Sequence, residues 1–118
     1  MRVLGIAWIG VRSAQATALR TLFGDVMGMS VVKDDRDAAW FRLGDGVRVD
    51  VYSHHDDWHA FFGTAPAVGF LVDDAAAARA ELEAAGMTFL TDTQRRDGEV
   101  WAHFRGPDGN VYEILSRH

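Results

Sequence analysis

The 118-residue sequence has no cysteine, only two prolines, no excess of basic residues and no long apolar run. Without cysteine there is no disulfide framework, thiolate metal site or cysteine nucleophile. The net charge of −5, from 12 basic and 17 acidic residues, argues against a nucleic-acid partner, because neutralising phosphates requires a basic surface. The apolar stretches are too short for a membrane span or, at residues 1–6, for a signal peptide. We therefore expect a cytoplasmic protein.

The remaining composition is that of an ordinary globular domain. The apolar share is 48% and the charged share 25%, far from the values typical of disordered chains. The length fits a single domain. Within it we expect a first module with its linker at residues 1–62 and a second module at residues 63–118.

An internal repeat supports this division. Residues 45–53 align without a gap on residues 108–116; both begin with an Asp-Gly turn and continue as a strand with a carboxylate at the same step. Upstream of each lies a second matching piece, residues 6–32 and 68–90, in which a strand and an amphipathic helix lead to Gly-Met. Each half therefore reads strand, helix and three strands. The sequence predicts an α+β fold built from two tandem βαβββ modules.

The two helices have distinct expected caps and apolar faces. Ser13 is expected to cap the first helix, and Asp73 or Asp74 the second. The first helix is expected to end at Gly28 and the second at Gly86. The apolar face of the first is formed by Ala18, Leu19, Leu22, Phe23 and Val26, and that of the second by Ala75, Ala78, Leu82 and Ala85.

Side chains alternate along a strand, so each strand can be divided into an apolar face under a helix and an opposite face. The opposite faces are chemically mixed and carry Trp8, Trp40, Arg42, Arg48, Asp50, Tyr52, Trp101, His103, Arg105, Glu113 and Leu115. Aromatic rings together with charges are typical of small-ligand sites. If the two sheets curl toward each other, these faces line a shared cup. The alternative is that the tryptophans fill the sheet junction and the charges pair at its rim.

Three segments resemble one family. The helix end at residues 22–29, the strand start at residues 68–74 and the closing segment at residues 104–114 are similar, in order and spacing, to the vicinal oxygen chelate superfamily. That superfamily contains glyoxalase I, bleomycin-resistance proteins and extradiol dioxygenases. The resemblance implies two βαβββ modules forming a curved mixed-sheet cup, often in a homodimer. It also implies a metal held by one residue from the first and last strand of each module.

Carried over to this sequence, the metal positions fall on Ile6, Asp50, Ala67 and Glu113. The two imidazoles that relatives usually place on the first strands are missing, and two carboxylates make a weak first shell for zinc or iron. We therefore expect no cofactor, while leaving open a divalent metal held by Asp50, Glu113 and His103. The histidine-rich segment 54–59 is interpreted as a loop that covers the cup with the following phenylalanines, rather than as a metal cluster.

Two functions of different classes follow. The first is sequestration of a small aromatic or cationic ligand, which tryptophans would stack on and carboxylates attract. Its expected ligand-binding residues are Trp8, Trp40, Arg48, Asp50, Tyr52, Trp101, His103 and Glu113. The second is a lyase, isomerase or dioxygenase of the same superfamily with an altered metal site or none. Catalysis would then rest on His103 as acid or base and on Glu113, or alternatively Asp50, as general base. Arg48 or Arg105 would hold an anionic group. A purely structural module leaves the mixed faces unexplained.

Overall fold

The computed structural model describes residues 1–118 and has the predicted α+β composition. Its residues form two compact units, which we call the first unit, Trp8–Pro66, and the second unit, Met1–Ala7 with Ala67–His118. Strand β1 (Val3–Arg12) is divided between them. No helix is long and apolar enough to cross a membrane.

The first unit follows the predicted strand, helix and three-strand order. After β1 come α1 (Ala16–Arg20), a π-helical segment (Thr21–Val26), β2 (Ser30–Asp34), β3 (Ala38–Arg42) and β4 (Arg48–Tyr52). The strands lie in the order β2-β3-β4-β1. Strand β4 runs parallel to β1 and antiparallel to β3, which runs antiparallel to β2.

The first helix differs from its prediction. Ser13 Oγ accepts a hydrogen bond from the Gln15 amide at 2.9 Å, but Gln15 occupies the N-cap position, without a side-chain cap. The α-helix has only five residues before it widens into the π-helical segment, where Met27 N donates to Leu22 O at 2.8 Å. The predicted single α-helix from Ser13 to Gly28 is therefore wrong.

The wider turn also changes which side chains are buried. A π-turn adds a residue, so the three- and four-residue spacing that predicts an α-helical face no longer holds. Leu22 and Val26 are 43% and 73% exposed, against the prediction. The core beneath the helix consists of Ala16, Leu19, Phe23, Met29, Ala39, Phe41, Leu43, Val49 and Val51.

The second unit has one more short strand than predicted. It contains β5 (Ala67–Val72), α2 (Ala75–Ala84), β6 (Thr88–Phe89), β7 (Gln94–Arg96), β8 (Glu99–Arg105) and β9 (Val111–Arg117). The order is β5-β9-β8-β6, with β7 also pairing β8. Strands β5 and β9 are parallel.

Helix α2 forms where predicted, except that Ala85, predicted on its apolar face, is its exposed C-cap residue. The Asp74 carboxylate is its cap and accepts from Ala77 N at 3.0 Å. The chain leaves the helix through Gly86, whose φ of +95° favours glycine. Its apolar face packs on the sheet, in a core formed by Val72, Ala75, Ala78, Leu82, Met87, Phe89, Val100, Phe104, Tyr112 and Ile114.

The repeated Asp-Gly turns have matching hydrogen bonds. The Arg42 guanidinium donates to Gly46 O at 3.0 Å, and the Arg105 guanidinium donates to Gly109 O at 2.7 Å. The Asp side chain of each turn accepts from the amide two residues later, at 3.1 Å in both copies. The local geometry of the two copies agrees with the predicted duplication.

Candidate functional site

Asp50 is the centre of a polar cluster in the first unit. The parallel register sets Trp8 beside Arg48 and Gly10 beside Asp50, so these residues share one face of the sheet. Arg48 Nε lies 2.9 Å from Asp50 Oδ1 and donates through Nη2 to Oδ2 at 3.0 Å, the bidentate geometry of a strong ion pair. The Tyr52 hydroxyl donates to the same Oδ2 at 2.7 Å. The carboxylate thus has its charge balanced within the protein.

Burial dominates the acidity of this carboxyl group. Asp50 has no exposed surface, and removal from water raises its pKa above the ordinary value of 3.8. The Arg48 charge and hydrogen bonds from Tyr52, Trp8 and Arg48 oppose this rise without cancelling it. A ligand cannot reach Asp50 directly in this conformation, so its immediate effect is to hold Arg48.

The indole of Trp8 lies over strand β1 next to Asp50, because Gly10 on the same face of that strand has no side chain. A Cβ built on Gly10 would lie 2.1 Å from Trp8 Cζ2 and 2.3 Å from Cη2, far inside ordinary contact. The indole therefore lies across Gly10, where it is only 3% exposed and is hydrogen-bonded to the Asp50 carboxyl group. Gly10 is thus a requirement for the position of Trp8.

Trp40, on the same face, has two cations close to its ring. The Arg48 guanidinium carbon is 4.3 Å from the centre of the Trp40 ring, and Lys33 Nζ is 4.4 Å from it. Both distances are within the range of a cation–π contact. Arg48 retains 27% of its side-chain exposure. The accessible part of this surface is therefore an aromatic ring flanked by positive charge.

An aromatic segment follows β4 and packs back on it. His59 stacks on Tyr52 with ring centres 3.6 Å apart and a 12° interplanar angle. Phe62 meets both Trp8 and Tyr52 edge-on at 5.9 Å. The Arg12 guanidinium donates to the Asp56 carbonyl at 3.0 Å and so anchors the beginning of this segment. We call residues 54–62 the aromatic loop.

The second unit contains a different polar pair, His103 and Glu113. These residues are directly opposite in the antiparallel register of β8 and β9, with His103 Nε2 3.1 Å from Glu113 Oε2. They are 1% and 4% exposed. Thr91 Oγ1 accepts from the His103 amide at 3.1 Å, which fixes the backbone there. The next register pair on the same face of the sheet is Trp101 with Leu115.

The repeat explains why the two clusters differ. The alignment of the Asp-Gly turns pairs Asp50 with Glu113 and Trp40 with His103. In each copy these two residues are register partners on adjacent strands. One architectural position thus carries an indole in the first unit and an imidazole in the second. As a consequence, the carboxylate of Asp50 is paired with Arg48 in the first unit, and that of Glu113 with His103 in the second unit.

The eight sequence-predicted ligand residues thus fall into two groups. The first unit brings together Trp8, Trp40, Arg48, Asp50 and Tyr52, and the second brings together Trp101, His103 and Glu113. Their roles, and a cup shared by both faces, stay predictions. The prediction omitted Lys33, whose place beside Trp40 follows a register shift between Val31 and Lys33. Simple alternation would have assigned Lys33 to the helix-covered face.

The donor set does not fit the metal site that the resemblance implies. Two of its four positions, Ile6 and Ala67, have hydrocarbon side chains, and the Asp50 carboxylate is enclosed by its ion pair with Arg48. No group of three or more histidine and carboxylate side chains is arranged to hold a metal ion. In the aromatic loop, His59 pairs with Asp56 at 2.8 Å and His55 with Arg36 at 2.9 Å.

Comparison with known proteins identifies the family. A model of the Glyoxalase/Bleomycin resistance protein/Dioxygenase superfamily matches residues 5–114. The chain therefore belongs to this superfamily, and the recognition and fold class predicted from sequence are confirmed. No curated protein matches the chain in sequence.

Solved structures agree on the fold. Methylmalonyl-CoA epimerase from Mycobacterium tuberculosis is 16% identical with a TM-score of 0.73, over 98% of this chain and 89% of that one. A single-residue variant of the Streptomyces coelicolor epimerase, in complex with 2-nitronate-propionyl-CoA, is 17% identical with a TM-score of 0.71, over 98% and 99%. The Mn(II)-bound glyoxalase from Novosphingobium aromaticivorans is 24% identical with a TM-score of 0.69, over 98% of this chain but only 39% of that one.

Proposed function

We propose that this protein binds a small planar organic molecule without using a metal ion. The observation that carries the proposal is the state of Asp50, a closing-strand position that the resemblance assigns to metal binding. Its carboxylate is fully buried and is held by Arg48 and Tyr52. Adding a divalent cation there would require breaking a buried ion pair, which is costly.

The charge of the accessible surface favours an anionic substituent on the ligand. Sequence alone favours an aromatic or cationic ligand, attracted by Asp50 and Glu113. In the first unit, however, Arg48 balances Asp50, and the cations flanking Trp40 are Arg48 and Lys33. A planar ring could pack beside Trp40 while a carboxylate on that ring accepts hydrogen bonds from Arg48. The proposal therefore keeps the aromatic part and replaces the cation by an anion.

A matched pair of probes tests this proposal. Naphthalene-2-carboxylate and naphthalene-2-methylammonium have the same ring system and opposite charges, and binding is followed by calorimetry together with metal analysis of the purified protein. We expect saturable binding of the carboxylate, weaker binding of the ammonium compound, and no change after chelator treatment. Arg48→Gln should weaken carboxylate binding about tenfold. Arg117→Gln, which removes a surface arginine paired with Glu99, is the control.

Two results would contradict the proposal. One is stoichiometric metal in the purified protein whose removal abolishes binding. The other is equal affinity for both probes in the wild type and in Arg48→Gln. The first result would restore the metal-dependent interpretation, and the second would show that Arg48 does not select an anionic ligand.

A second candidate function is proton transfer by the buried pair His103 and Glu113. The two groups are 3.1 Å apart, so a proton can pass between them. A general acid or base must lie within hydrogen-bond reach of its substrate, and because these groups are 1% and 4% exposed, the side chains that cover them have to move before a substrate can reach them. Both the Mycobacterium tuberculosis and the Streptomyces coelicolor fold neighbours are named epimerases, an enzyme class that inverts a stereocentre. Deuterium incorporation into a panel of carbon acids, followed by NMR, tests this candidate. Activity lost in Glu113→Gln and retained in Glu99→Gln would support it.

A homodimer is part of the same proposal. Strand β2 of the first unit has two exposed valines, Val31 at 58% and Val32 at 50%. The segment just before this strand also exposes apolar side chains, namely Leu22, Val26 and Met27. Strand β2 is the edge strand in the order β2-β3-β4-β1, and an exposed edge strand can pair with a strand of another chain. Sedimentation equilibrium should show a dimer that Val31→Lys weakens; a wild-type monomer would refute it. The cytoplasmic location and the absence of a nucleic-acid partner stay predictions.

A further inference from the structure

A pocket in the first unit shares only His54 and His55, at the beginning of the aromatic loop, with the candidate site described above. It has a volume of about 380 Å³ and is lined by basic and hydroxyl side chains, among them Ser13, Thr17, Arg20, Arg36, His54 and His55. This volume is within the range of small-molecule sites. No carboxylate lines the pocket, although the chain as a whole carries a net charge of −5. The pocket is thus locally basic on an acidic protein.

The backbone that carries Arg36 is held from three sides. Ser53 Oγ donates to Arg36 O at 2.9 Å, and the Arg20 guanidinium donates to the same carbonyl at 3.5 Å. Asp35 Oδ1 accepts from the amides of Asp37 and Ala38 at 2.9 and 3.0 Å. The turn between β2 and β3 is therefore fixed, and it presents Arg36 at a defined place on the pocket wall.

The two arginines differ in how their charges are used. Arg20 pairs with Asp34 at 2.7 Å, so its charge is largely balanced within the protein. Arg36 instead donates through Nη2 to His55 Nδ1 at 2.9 Å. Since a guanidinium has no acceptor, Nδ1 must accept, and the neutral His55 ring carries its proton on Nε2. This contact orients Arg36 without neutralising it.

From this arrangement we infer that the pocket binds the phosphate group of a small phosphate monoester. A phosphate offers several acceptor oxygens and negative charge, which match a guanidinium, imidazole N–H groups and hydroxyls. The pocket is also larger than a single inorganic ion needs, so the rest of the ester has room within it. The inference does not depend on the proposed function, because the pocket lining contains none of Trp8, Trp40, Arg48, Asp50 and Tyr52.

The test uses phenyl phosphate as the probe on the whole protein, with binding followed by amide chemical shifts at constant ionic strength. We expect saturable shifts in residues 13–20 and 53–55, with weaker shifts from benzoate and none from sodium chloride. Arg36→Gln should weaken phenyl phosphate binding about tenfold or more, and His55→Ala should also weaken it. Arg95→Gln, an exposed arginine on β7, should bind as the wild type does.

Several results would overturn the inference. These are shifts that do not saturate, equal affinity in Arg36→Gln and Arg95→Gln, and saturation by inorganic phosphate with exclusion of phenyl phosphate. A thermal melt of each variant shows whether it is folded. If Arg36→Gln does not fold, the comparison of His55→Ala with Arg95→Gln decides the question in the same way.

Discussion

Substituting Gly10 by alanine tests the position of Trp8 directly. The added Cβ would lie 2.1 Å from Trp8 Cζ2, so the two atoms would have to separate by about 1.3 Å to reach the 3.4 Å of ordinary contact. Trp8 is buried and packed against Phe62, and the Gly10 backbone is fixed in the ladder to β4. Neither partner can yield without losing contacts.

The expected cost follows from these contacts. Overpacking costs about 1–3 kcal/mol, and partial loss of a buried tryptophan adds to it. We therefore expect Gly10→Ala to lower the free energy of unfolding by about 2–4 kcal/mol. In a Trp8→Leu background the clash is absent, and alanine should then be neutral or stabilising by about 0.5 kcal/mol, because glycine weakens a strand.

Urea denaturation followed by far-ultraviolet circular dichroism measures all four members of this double-mutant cycle. This signal does not depend on Trp8 itself, unlike tryptophan fluorescence. A coupling energy of about 2 kcal/mol or more is expected. The reasoning would be refuted by a Gly10→Ala protein within about 0.5 kcal/mol of the wild type, or by the same cost in both backgrounds.

Three further predictions concern stability. Burial raises the pKa of Asp50 above 3.8, so the folded protein keeps the proton of Asp50 to a higher pH than the unfolded chain does. The contribution of Asp50 to the free energy of unfolding therefore falls as pH rises through its native pKa. The Asp50→Asn variant should lack that fall in urea titrations from pH 4 to 7. Glu113→Ala should lower the free energy of unfolding by about 3 kcal/mol, because it leaves His103 buried without its partner. Glu99→Ala, which removes the partner of Arg117 at the surface, should lower it by under about 1 kcal/mol, and equal losses would contradict the buried pairing. Asp74→Ala should cost about 1 kcal/mol by removing the cap of α2, while thermal melting of Asp25→Ala should match the wild type.

The fold was predictable where the pattern was purely local. The Asp-Gly turns and the alternation on either side of them predicted β4, β8 and β9, with Asp50 and Glu113 at the same step of the repeated strand. The pairing of Asp50 with Trp40 and of Glu113 with His103 depends on the strand register, which was not predicted. Helix α2 was predictable because it is a regular helix with a good cap. The first helix was not, because the π-helical segment Thr21–Val26 does not follow the three- and four-residue spacing of an α-helix and therefore leaves no periodic signal.

The candidate site was only partly predictable for a related reason. Alternation assigns Arg48, Asp50 and Tyr52 to one face, but it does not reveal that Arg48 and Tyr52 both turn toward Asp50. The sequence therefore suggested a carboxylate available to a cation. Lys33 was missed because a β-bulge changes the face of one strand, and a bulge at an ordinary valine has no sequence signature.

The stack of His59 on Tyr52 also has a spectroscopic consequence. With ring centres 3.6 Å apart and planes within 12°, the imidazole protons lie in the shielding region of the phenol ring and should resonate upfield of those of the other four histidines. That resonance is a built-in reporter of the aromatic loop. Any opening of the loop would move this resonance toward the ordinary histidine position, and the rate of opening could be read from its line width without any label.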